Sequence, residues 1–483
     1  MKSTKTHQSK EFTMNILTQN IEKRFISCFL YCLNHDHRHY KSASFYLGLI
    51  VSIENRIHTN IRQALIMTFE GLDKDFKTSA ERKALYYTKG KHPRTLMTLY
   101  GEIYFEREYY VPKKGGEGFF YVDRQLDLPR RDYYDPLIKS MLIDYCGSMS
   151  CHRAGIMVGK LIGERLQHDA QKRNLSISRQ TVRNVLLACD IDNSLEPSDP
   201  LKVDTVYVQM DEKYVASQGA QGKKHEIKTA IVYTGIKKVG KHRNQLMNRK
   251  VFATTENADH LRRQLADYLS RHYAFENIRH ILVSGDGASW IKASNEELRL
   301  HKNIQTSFTL DRFHMAQAIN HITPCETERD ILYGFIQANQ PKAFKEVCEA
   351  LLIRYPERTA TITDKLGYIE RHWKSIQHQK HPLFKGCSVE GHISHIFAAL
   401  FASRPKGYST VMLKKILTLR VMKANGMDLK KRYLENHTNY FHRDFIDIET
   451  SLKEPRNNHY QKTWIREMMR KINNHDFSNL KYI

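Results

Sequence analysis

The sequence predicts an α/β protein in which a mixed sheet with helices on its faces follows a largely helical N-terminal half. Three observations lead to this fold class. Apolar residues recur every three or four positions in much of the N-terminal half, as on one face of a helix. From Val203 onwards, short β-rich runs alternate with helical patterns. Between the halves lies Asn193–Pro200, rich in Asn, Ser, Pro and Asp, which is the clearest domain boundary in the chain.

The N-terminal half contains one predicted hairpin between two helical regions. Residues 14–85 have helical periodicity, and the pattern is helical again from about Asp135 to Asp190. Between them, Thr95–Tyr110 forms two β-rich runs hinged at Gly101-Glu102. Its second run carries Glu106-Arg-Glu108, which is more acidic than a nucleic-acid contact requires.

A predicted helix at Ser178–Ala188 has the pattern of a DNA-recognition helix. Ser178 is a good N-cap residue, and Arg179, Gln180 and Arg183 lie on its outward side. A preceding helix over Met149–Leu166 would complete a helix-turn-helix. A helix that only packs against its neighbours fits the same pattern.

The second half alternates strands and helices. Its predicted elements are strands at Thr205–Met210, Ile227–Ile236, Gln245–Thr254 and Ile304–Leu310, a helix at Ala258–His272, and an apolar strand leading into Gly285-Asp286-Gly287. Residues from Ala316 to about His381 are helical and charged without a strand signal, which indicates an insertion.

The composition favours a polyanionic partner in a reducing compartment. The chain has 76 Lys and Arg against 52 Asp and Glu, a net charge of +24, so DNA or RNA is the simplest partner, although an ordinary basic protein is the alternative. The eight cysteines form no CxxC pair, and the N-terminus lacks a signal-peptide pattern, so we expect a cytoplasmic protein. No apolar run is long enough to span a bilayer.

Three acidic residues stand at positions that suit metal-dependent chemistry. Asp211 follows the first predicted strand, Asp286 follows a later one, and Glu390 lies near the start of a helix. Acidic tips of neighbouring strands converge at the open end of a sheet, and a third carboxylate completes an oxygen site for Mg²⁺. Each has a simpler interpretation: Asp211 can close a turn, with Glu212 a rival for its role, Asp286 can cap the next helix, and Glu390 can be a surface acid.

Several motifs, in order along the chain, resemble those of ISLre-type bacterial insertion-sequence transposases. They are Gln209-Met-Asp-Glu-Lys213, Gly285-Asp-Gly-Ala-Ser-Trp-Ile291, Leu310-Asp-Arg-Phe-His314, Gly386-Cys-Ser-Val-Glu-Gly-His-Ile-Ser-His395 and Ser403-Arg-Pro-Lys-Gly407. The hairpin with its Leu-Tyr-Gly-Glu-Ile-Tyr-Phe core resembles the N-terminal signature of that family, so the resemblance covers about residues 15 to 450.

The resemblance implies a DDE transposase with an RNase H-like catalytic core, related to Mutator-type enzymes. It places the catalytic and metal-binding acids at Asp211, Asp286 and Glu390, and gives Asp311 and His314 a role near the scissile phosphate, with a helix-cap pair as the alternative. The implied cofactor is two Mg²⁺ ions, for which Mn²⁺ can substitute. The implied partners are double-stranded DNA, as element ends and target, and further copies of the chain.

The DNA contacts that we expect are Arg179, Gln180, Arg183 and Arg404. Lys414–Arg432 holds seven Lys or Arg against one Asp and can either follow phosphates or form a solvated helix face. The rival functions are a structure-selective DNA nuclease on the same fold and a DNA-binding regulator with an inactive core.

Pattern and resemblance together divide the chain into seven regions. These are a helical region (1–92), a β-hairpin region (93–134), a helical region with the helix-turn-helix candidate (135–192), the first part of the catalytic core (201–319), a helical insertion (320–385), the last part of the core (386–445) and a C-terminal tail (446–483).

Overall fold

The computed structural model describes residues 43–126, 128–129, 131–165, 175–191, 193–195, 198–218, 224–241, 243–387, 391–392, 394–398 and 407–438. The chain forms two compact units. The first comprises Met1–Ile143, Cys151–Val185 and Lys430–Ile483, and the second comprises Asp144–Ser150 and Leu186–Leu429. None of the helices within these ranges is both long and apolar enough to cross a membrane.

The elements that lie wholly or mostly in the first unit are seven helices and three strands among the residues just given. The helices are α1 (Ala43–Thr78), α2 (Ala80–Leu85), α3 (Tyr121–Gln125), α4 (Pro136–Cys146), α5 (Cys151–Arg165) and α6 (Arg179–Ala188), with α14 (Leu429–Thr438) near the C-terminal end of the described chain. The strands β1 (Tyr86–Thr98), β2 (Gly101–Pro112) and β3 (Phe119–Phe120) form an antiparallel sheet in that order.

The predicted hairpin is present and packs against α1. Leu96, Ile103 and Phe105 are buried in its core, and Leu65, Ile66 and Phe69 of α1 cover them. The turn, Leu99-Tyr100, is two positions earlier than expected, because Thr98 pairs with Gly101 and Gly101 already belongs to β2. A φ of +113° at Gly101 suits glycine, which has no Cβ to clash in that conformation.

The charges of the hairpin are neutralised within the first unit. Glu106 pairs with Lys91, and Glu108 pairs with Lys77 at 2.6 Å. Deeper in the unit, the carboxylate of Asp123 bonds to both Arg94 and Arg107, and all three side chains are largely buried. The acidic residues of β2 therefore have structural partners, which explains their presence in a basic protein.

Two glycines let α5 lie directly against the segment that precedes α6. A Cβ on Gly155 would stand 2.1 Å from the carbonyl oxygen of Ile177, and one on Gly159 would stand 2.3 Å from that of Leu175. The amide of Ile177 also donates to the carbonyl of Gly155 at 3.1 Å. Since no side chain fits at either position, backbone packing positions α6 against α5.

The second unit contains a mixed sheet, a separate two-stranded ribbon and helices. Its strands are β4 (Thr205–Ala216), β5 (Lys224–Tyr233), β6 (Gly235–Gly240), β7 (Arg243–Met247), β8 (Lys250–Thr254), β9 (His280–Gly285) and β10 (Gln305–Leu310). Its helices are α7 (Ala258–His272), α8 (Ser289–Glu297), α9 (Arg312–Ile322), α10 (Glu326–Gln337), α11 (Pro341–Arg354), α12 (Thr359–Gln377) and α13 (Thr410–Ala424). Short 3₁₀ turns at Phe275–Asn277, Pro356–Arg358 and His378–Lys380 and a π-helical turn at Ser394–Ala398 complete the described elements.

The predicted mixed α/β architecture is confirmed. The five-stranded sheet has the order β10-β9-β4-β5-β8, in which β4, β9 and β10 are parallel to one another and β5 is antiparallel to both β4 and β8. The single strand expected at Gln245–Thr254 is wrong: it is two strands, because Asn248, with a φ of +50°, ends β7 before β8 begins. The strand β7 pairs with β6 in the ribbon, and β8 joins the sheet.

One face of this sheet is apolar, and the other, the polar face, carries a row of buried polar side chains beside apolar ones such as Leu282 and Ile231. Val206 and Val208 of β4, Ile281 of β9 and Phe308 of β10 are buried in one hydrophobic core with α7 and α8. The alternate positions of the same strands face away from this core and carry Gln209, Ser284 and Thr309, all buried. The helices α9–α12 form a second core of their own, as the helical pattern after Ala316 predicts.

We predict that the Asp123→Ala substitution lowers the free energy of unfolding of the first unit by about 3–5 kcal/mol, because it leaves two buried guanidinium groups without their anion. Urea unfolding followed by a signal from the first unit measures the change. Glu106→Gln is the matched control, since its ion pair with Lys91 is exposed and the expected loss is below about 1 kcal/mol. Equal losses in both variants would contradict this account.

Candidate functional site

Three aspartates lie two residues beyond a row of paired residues on three neighbouring parallel strands. Gln209 of β4 is paired with Ser284 of β9, which is paired with Thr309 of β10. Two residues further along each chain segment come Asp211, Asp286 and Asp311. The backbones remain close at this level, because a Cβ on Gly285 would stand 2.5 Å from the carbonyl oxygen of Met210 and the amide of Asp311 donates to the carbonyl of Gly285 at 2.8 Å.

Asp211 lies inside β4 instead of ending it. The prediction that Asp211 stands at the strand end is wrong, because β4 continues to Ala216 with β5 as its antiparallel partner and Asp211 opposite Thr229. The parallel pairing with β9 does end two residues earlier, at Gln209. Asp211 is 5% exposed, and its Oδ1 accepts a hydrogen bond of 2.8 Å from the amide of Glu212, which fixes the carboxylate plane.

Asp286 lies in a turn that only glycines can flank. Its Oδ1 accepts a hydrogen bond of 2.9 Å from the amide of Ala288, and Ala288, not Asp286, is the N-cap residue of α8. Asp286 is therefore not the cap of α8; its carboxylate closes the turn that precedes the helix. Gly287 has a φ of +91°, and a Cβ there would stand 2.4 Å from the ring of His372.

Helix α12 covers this turn with two side chains that the sequence pattern did not identify. The hydroxyl of Tyr368 donates to the carbonyl oxygen of Asp286 at 2.5 Å, and the ring of His372, one helical turn later, lies against Gly287. Burial, together with the charges of Lys292 and Arg371, lowers the pKa of His372 to about 4, so its ring is neutral at physiological pH. An aromatic pair four residues apart is also common in helix cores, so the sequence offered no distinguishing signal.

Two cations lie beside the same turn. Lys292 is half-buried on the first turn of α8, and Arg371 is exposed on α12 next to His372. Burial and the charge of Arg371 lower the pKa of Lys292. Two like charges that act on each other in this way form a positive edge at the Asp286 turn.

Asp311 and His314 form the helix-cap pair that the sequence left as an alternative. The Oδ1 of Asp311 accepts from the amide of Phe313 at 3.1 Å, which caps α9, and its Oδ2 lies 3.5 Å from Nδ1 of His314. Burial acts to lower the pKa of His314, but the nearby carboxylate of Asp311 and the negative charges of Asp211 and Asp286 raise it above its ordinary value. Asp311 therefore caps α9, and through the same pair it holds His314 close to the other two aspartates.

Glu212, the rival for the role of Asp211, lies on the other face of the sheet. Its carboxylate accepts from the hydroxyl of Tyr214 at 2.7 Å and from the indole of Trp290 at 2.9 Å. Burial raises the pKa of Glu212, but these hydrogen bonds outweigh it and the net pKa is lowered. Glu212 is therefore an ionised structural partner of α8.

The segment before Glu390 runs along the polar face of β4. The carbonyl oxygen of Leu383 accepts from the hydroxyl of Tyr207 at 2.9 Å, and that of Gly386 accepts from the side-chain amide of Gln209 at 3.2 Å. Glu390 and Arg404 themselves lie outside the described residues. Within the described residues, no three His, Cys, Asp or Glu side chains converge as a metal site, so Asp311 and His314 do not complete a set with Asp211 and Asp286.

The candidate recognition helix has the predicted cap and outward face. The Oγ of Ser178 accepts from the amide of Thr181 at 3.0 Å, and Val182 is fully buried. Arg179, Gln180 and Arg183 are exposed. The three side chains are thus available on one surface of the first unit.

Much of the basic run Lys414–Arg432 is occupied by contacts inside the second unit. Arg420 is buried and donates to the carbonyl oxygens of Ile396 and Ser148. Lys415 bonds to the carbonyl oxygen of Cys189, and Lys423 pairs with Asp144 at 2.9 Å. Neither alternative from the sequence, phosphate contact or a solvated face, describes these three residues.

The chain is similar to several bacterial proteins over most of its length. A UPF0236 protein of Caldanaerobacter subterraneus subsp. tengcongensis is 28% identical over 376 residues, which are 77% of each chain. A second from the same organism, whose name joins eleven locus designations, is 27% identical over 77% of this chain and 76% of its own. A UPF0236 protein in the vanSb 3′ region of Streptococcus gallolyticus is 28% identical over 47% of this chain and 48% of its own.

The model of the uncharacterised protein family UPF0236 matches residues 46–438. This range holds the hairpin, the candidate recognition helix and all the strands of the mixed sheet. Because the match spans most of the chain, including the acids and the helix that covers them, the protein belongs to the UPF0236 family.

Proposed function

We propose that the protein is a DDE transposase that cleaves DNA at the ends of an insertion sequence and joins the freed ends to target DNA. The observation that carries the proposal is the placement of Asp211 and Asp286, each two residues beyond the paired Gln209 and Ser284 of two neighbouring parallel strands. Ligands of open α/β sheets commonly bind beyond the carboxyl ends of the parallel strands, and the parallel pairing of β4 with β9 ends just before these acids.

The strand order supports an RNase H-like core. Without the ribbon, the five strands of the sheet, numbered in chain order, lie in the order 3-2-1-4-5, with the first three antiparallel and the last two parallel to the first. RNase H-like cores have this order, and the motifs that resemble those of ISLre-type transposases contain the first two acids, Asp211 on the first strand and Asp286 directly after the fourth.

The chemistry of the acids fits Mg²⁺. Asp211 and Asp286 would hold the ions with carboxylate oxygens, the donors that Mg²⁺ prefers, and we assign the third carboxylate to Glu390, four residues after the Gly386 contact to Gln209. Two bound Mg²⁺ ions, or Mn²⁺ in their place, supply activation of an attacking oxygen and stabilisation of the leaving one in phosphodiester chemistry. The protein positions the carboxylates through the amides of Glu212 and Ala288.

The surrounding side chains suit a phosphate substrate. Lys292 and Arg371 place positive charge beside the Asp286 turn, where a phosphate oxygen would reduce their mutual repulsion. His314, whose pKa is raised, would donate a hydrogen bond to a phosphate on the side of Asp311. The covering helix α12 holds the turn rigid through Tyr368, so the acids need little rearrangement when DNA binds.

A relative adds independent support. The name of one C. subterraneus protein joins eleven locus designations, which is expected of a gene that has copied itself within a genome. The net charge of +24 and the exposed Arg179, Gln180 and Arg183 on α6 suit the DNA partner that such a gene product needs.

A strand-transfer assay tests the proposal against its rivals. Labelled duplexes carrying the DNA that flanks the gene are incubated with the full chain, Mg²⁺ and a target plasmid. Joining supports transposition, cleavage without joining supports a structure-selective nuclease, and binding without either supports an inactive regulator.

We predict that Asp211→Asn and Asp286→Asn each reduce cleavage and joining by about a thousandfold or more, since each loses a ligand worth several kcal/mol in the transition state. DNA affinity should change little. Glu212→Gln is the matched control: it lies on the opposite face and should retain activity within about tenfold. If Glu212→Gln is as inactive as Asp211→Asn, the assignment of Asp211 fails.

We predict that Arg179→Ala and Arg183→Ala each weaken binding to the flanking DNA by about 1–3 kcal/mol and reduce discrimination against unrelated duplexes. Fluorescence anisotropy with both duplexes measures the two effects. Lys160→Gln, an exposed change on the neighbouring α5, is the control and should weaken both complexes slightly and equally. If the arginine variants lose the same affinity for the flanking duplex and for unrelated duplexes, Arg179 and Arg183 contact only phosphates and do not read the bases.

We predict a pH-dependent role for His314. Because the folded-state pKa of His314 is raised, its contribution to stability is fully present below the unfolded value of about 6.5 and is lost as pH rises through the folded pKa. The difference in unfolding free energy between wild type and His314→Gln should therefore shrink as the pH rises above about 6.5. For Asn320→Gln, an exposed change on the same helix that removes no titrating group, the difference should stay constant. If the difference for His314→Gln does not change with pH, His314 and Asp311 do not form a charged pair.

A further inference from the structure

The ribbon of β6 and β7 is a separate element of the second unit. It lies in sequence between β5 and β8, two paired strands of the large sheet, yet its own strands pair only with each other. The two strands run from Gly235 to Met247, and a register irregularity between Lys238 and Gly240 interrupts the pairing near the tip. Such irregularities increase the twist of a two-stranded ribbon.

The ribbon is uniformly basic. Residues 227–255 contain no Asp or Glu, and six Lys or Arg lie between Gly235 and Val251: Lys237, Lys238, Lys241, Arg243, Arg249 and Lys250. The first four are exposed, and none of them belongs to an ion pair within the described residues. Their cross-strand neighbours are neutral, since Lys237 faces Gln245 and Lys238 faces Asn244.

The base of the ribbon is held in place while its tip is exposed. The amide of Thr234 donates to the carbonyl oxygen of Met247 at 3.0 Å, and the side chain of Asn248 donates to the hydroxyl of Thr234 at 3.0 Å. Arg249, at the base, donates to the carbonyl oxygen of Ala424 at 3.0 Å and so anchors the ribbon to α13. The four exposed cations are therefore presented on a supported arm.

We propose that this ribbon is a DNA-binding arm whose exposed cations contact the phosphates of duplex DNA on either side of a groove. A two-stranded β-ribbon fits the major groove of B-DNA, and each neutralised phosphate releases counterions and adds affinity. The proposal rests on the proposed function for its partner, and it adds a contact surface outside the acids and α6.

Charge distinguishes DNA from a protein partner at this surface. A protein interface has an apolar centre with few lysines, whereas the exposed large apolar side chains among the described ribbon residues are Val239 and Met247, each a little under half exposed. Lysines on an exposed strand can also serve only to prevent edge-to-edge pairing with other chains. In that role they would leave DNA affinity unchanged, so the two interpretations differ in a measurable quantity.

The test compares two full-length variants with the same change in charge. The ribbon variant is Lys237→Gln, Lys238→Gln, Lys241→Gln and Arg243→Gln together, and the control is Arg299→Gln, Lys302→Gln, Lys342→Gln and Lys374→Gln, four exposed cations elsewhere in the second unit. The probe is a short mixed-sequence DNA duplex, titrated at several salt concentrations between roughly 50 and 200 mM. Thermal unfolding checks that both variants fold.

The ribbon variant should bind the duplex at least about tenfold more weakly at low salt, and the slope of log K against log salt should fall by about three, with a smaller change in the control. In the wild type, DNA should also protect the ribbon lysines from acetylation, which needs no variant. Equal behaviour of the two variants, or acetylation unaffected by DNA, would overturn the ribbon proposal and leave the transposase proposal standing.

Two other outcomes have distinct meanings. Loss of self-association in the ribbon variant, with unchanged affinity for the duplex, would overturn the proposal in favour of a contact with a second copy. Absence of duplex binding by the wild type at every salt concentration would remove the partner, and with it both the ribbon proposal and the proposed function.

Discussion

The parallel pairing of β4 with β9, and of β9 with β10, is the constraint on which the candidate site depends. Because Gln209, Ser284 and Thr309 share one row, the aspartates two positions later reach the same level of the sheet. The contact between Met210 and Gly285 keeps the two backbones together at that level, and it leaves no room for a Cβ at position 285. A slip of one residue in this pairing would turn the side chains of one strand to the opposite face, where Val208 and Val283 belong to the apolar core.

A polar sheet face needs partners for its buried groups, and other parts of the second unit supply them. Gln209 bonds to Tyr233 and to the backbone of Gly386, while the Asp286 turn is covered by Tyr368 and His372 of α12. The same contacts that satisfy these groups also bring the segment before Glu390, and Arg371 of α12, towards the acids. The stability of the second unit and the proposed chemistry therefore depend on the same packing interactions.

The positive charge of the chain is divided between structural and exposed roles. In the hairpin of the first unit and in α13 of the second, cations bond to carboxylates or to backbone carbonyls, so a count of basic residues overstates what is available to a partner. On α6 and on the β6–β7 ribbon the cations are exposed. The ribbon has no acidic residue to offset its own repulsion, which is why it is the stronger evidence for a polyanionic partner.

The sequence by itself determined the mixed α/β class, the hairpin, the capped helix at Ser178 and the order of the acids, because each depends on local periodicity, on turn residues or on a run of motifs. Only the tertiary structure decided how far β4 extends, since that depends on β5 as a partner, and that Gln245–Thr254 is two strands, since β7 and β8 pair with different neighbours. It also decided that Glu212 faces away from Asp211 and that His372 lies on Gly287. These are contacts between residues far apart in the chain. The local sequence pattern does not predict which distant side chain packs at a given position.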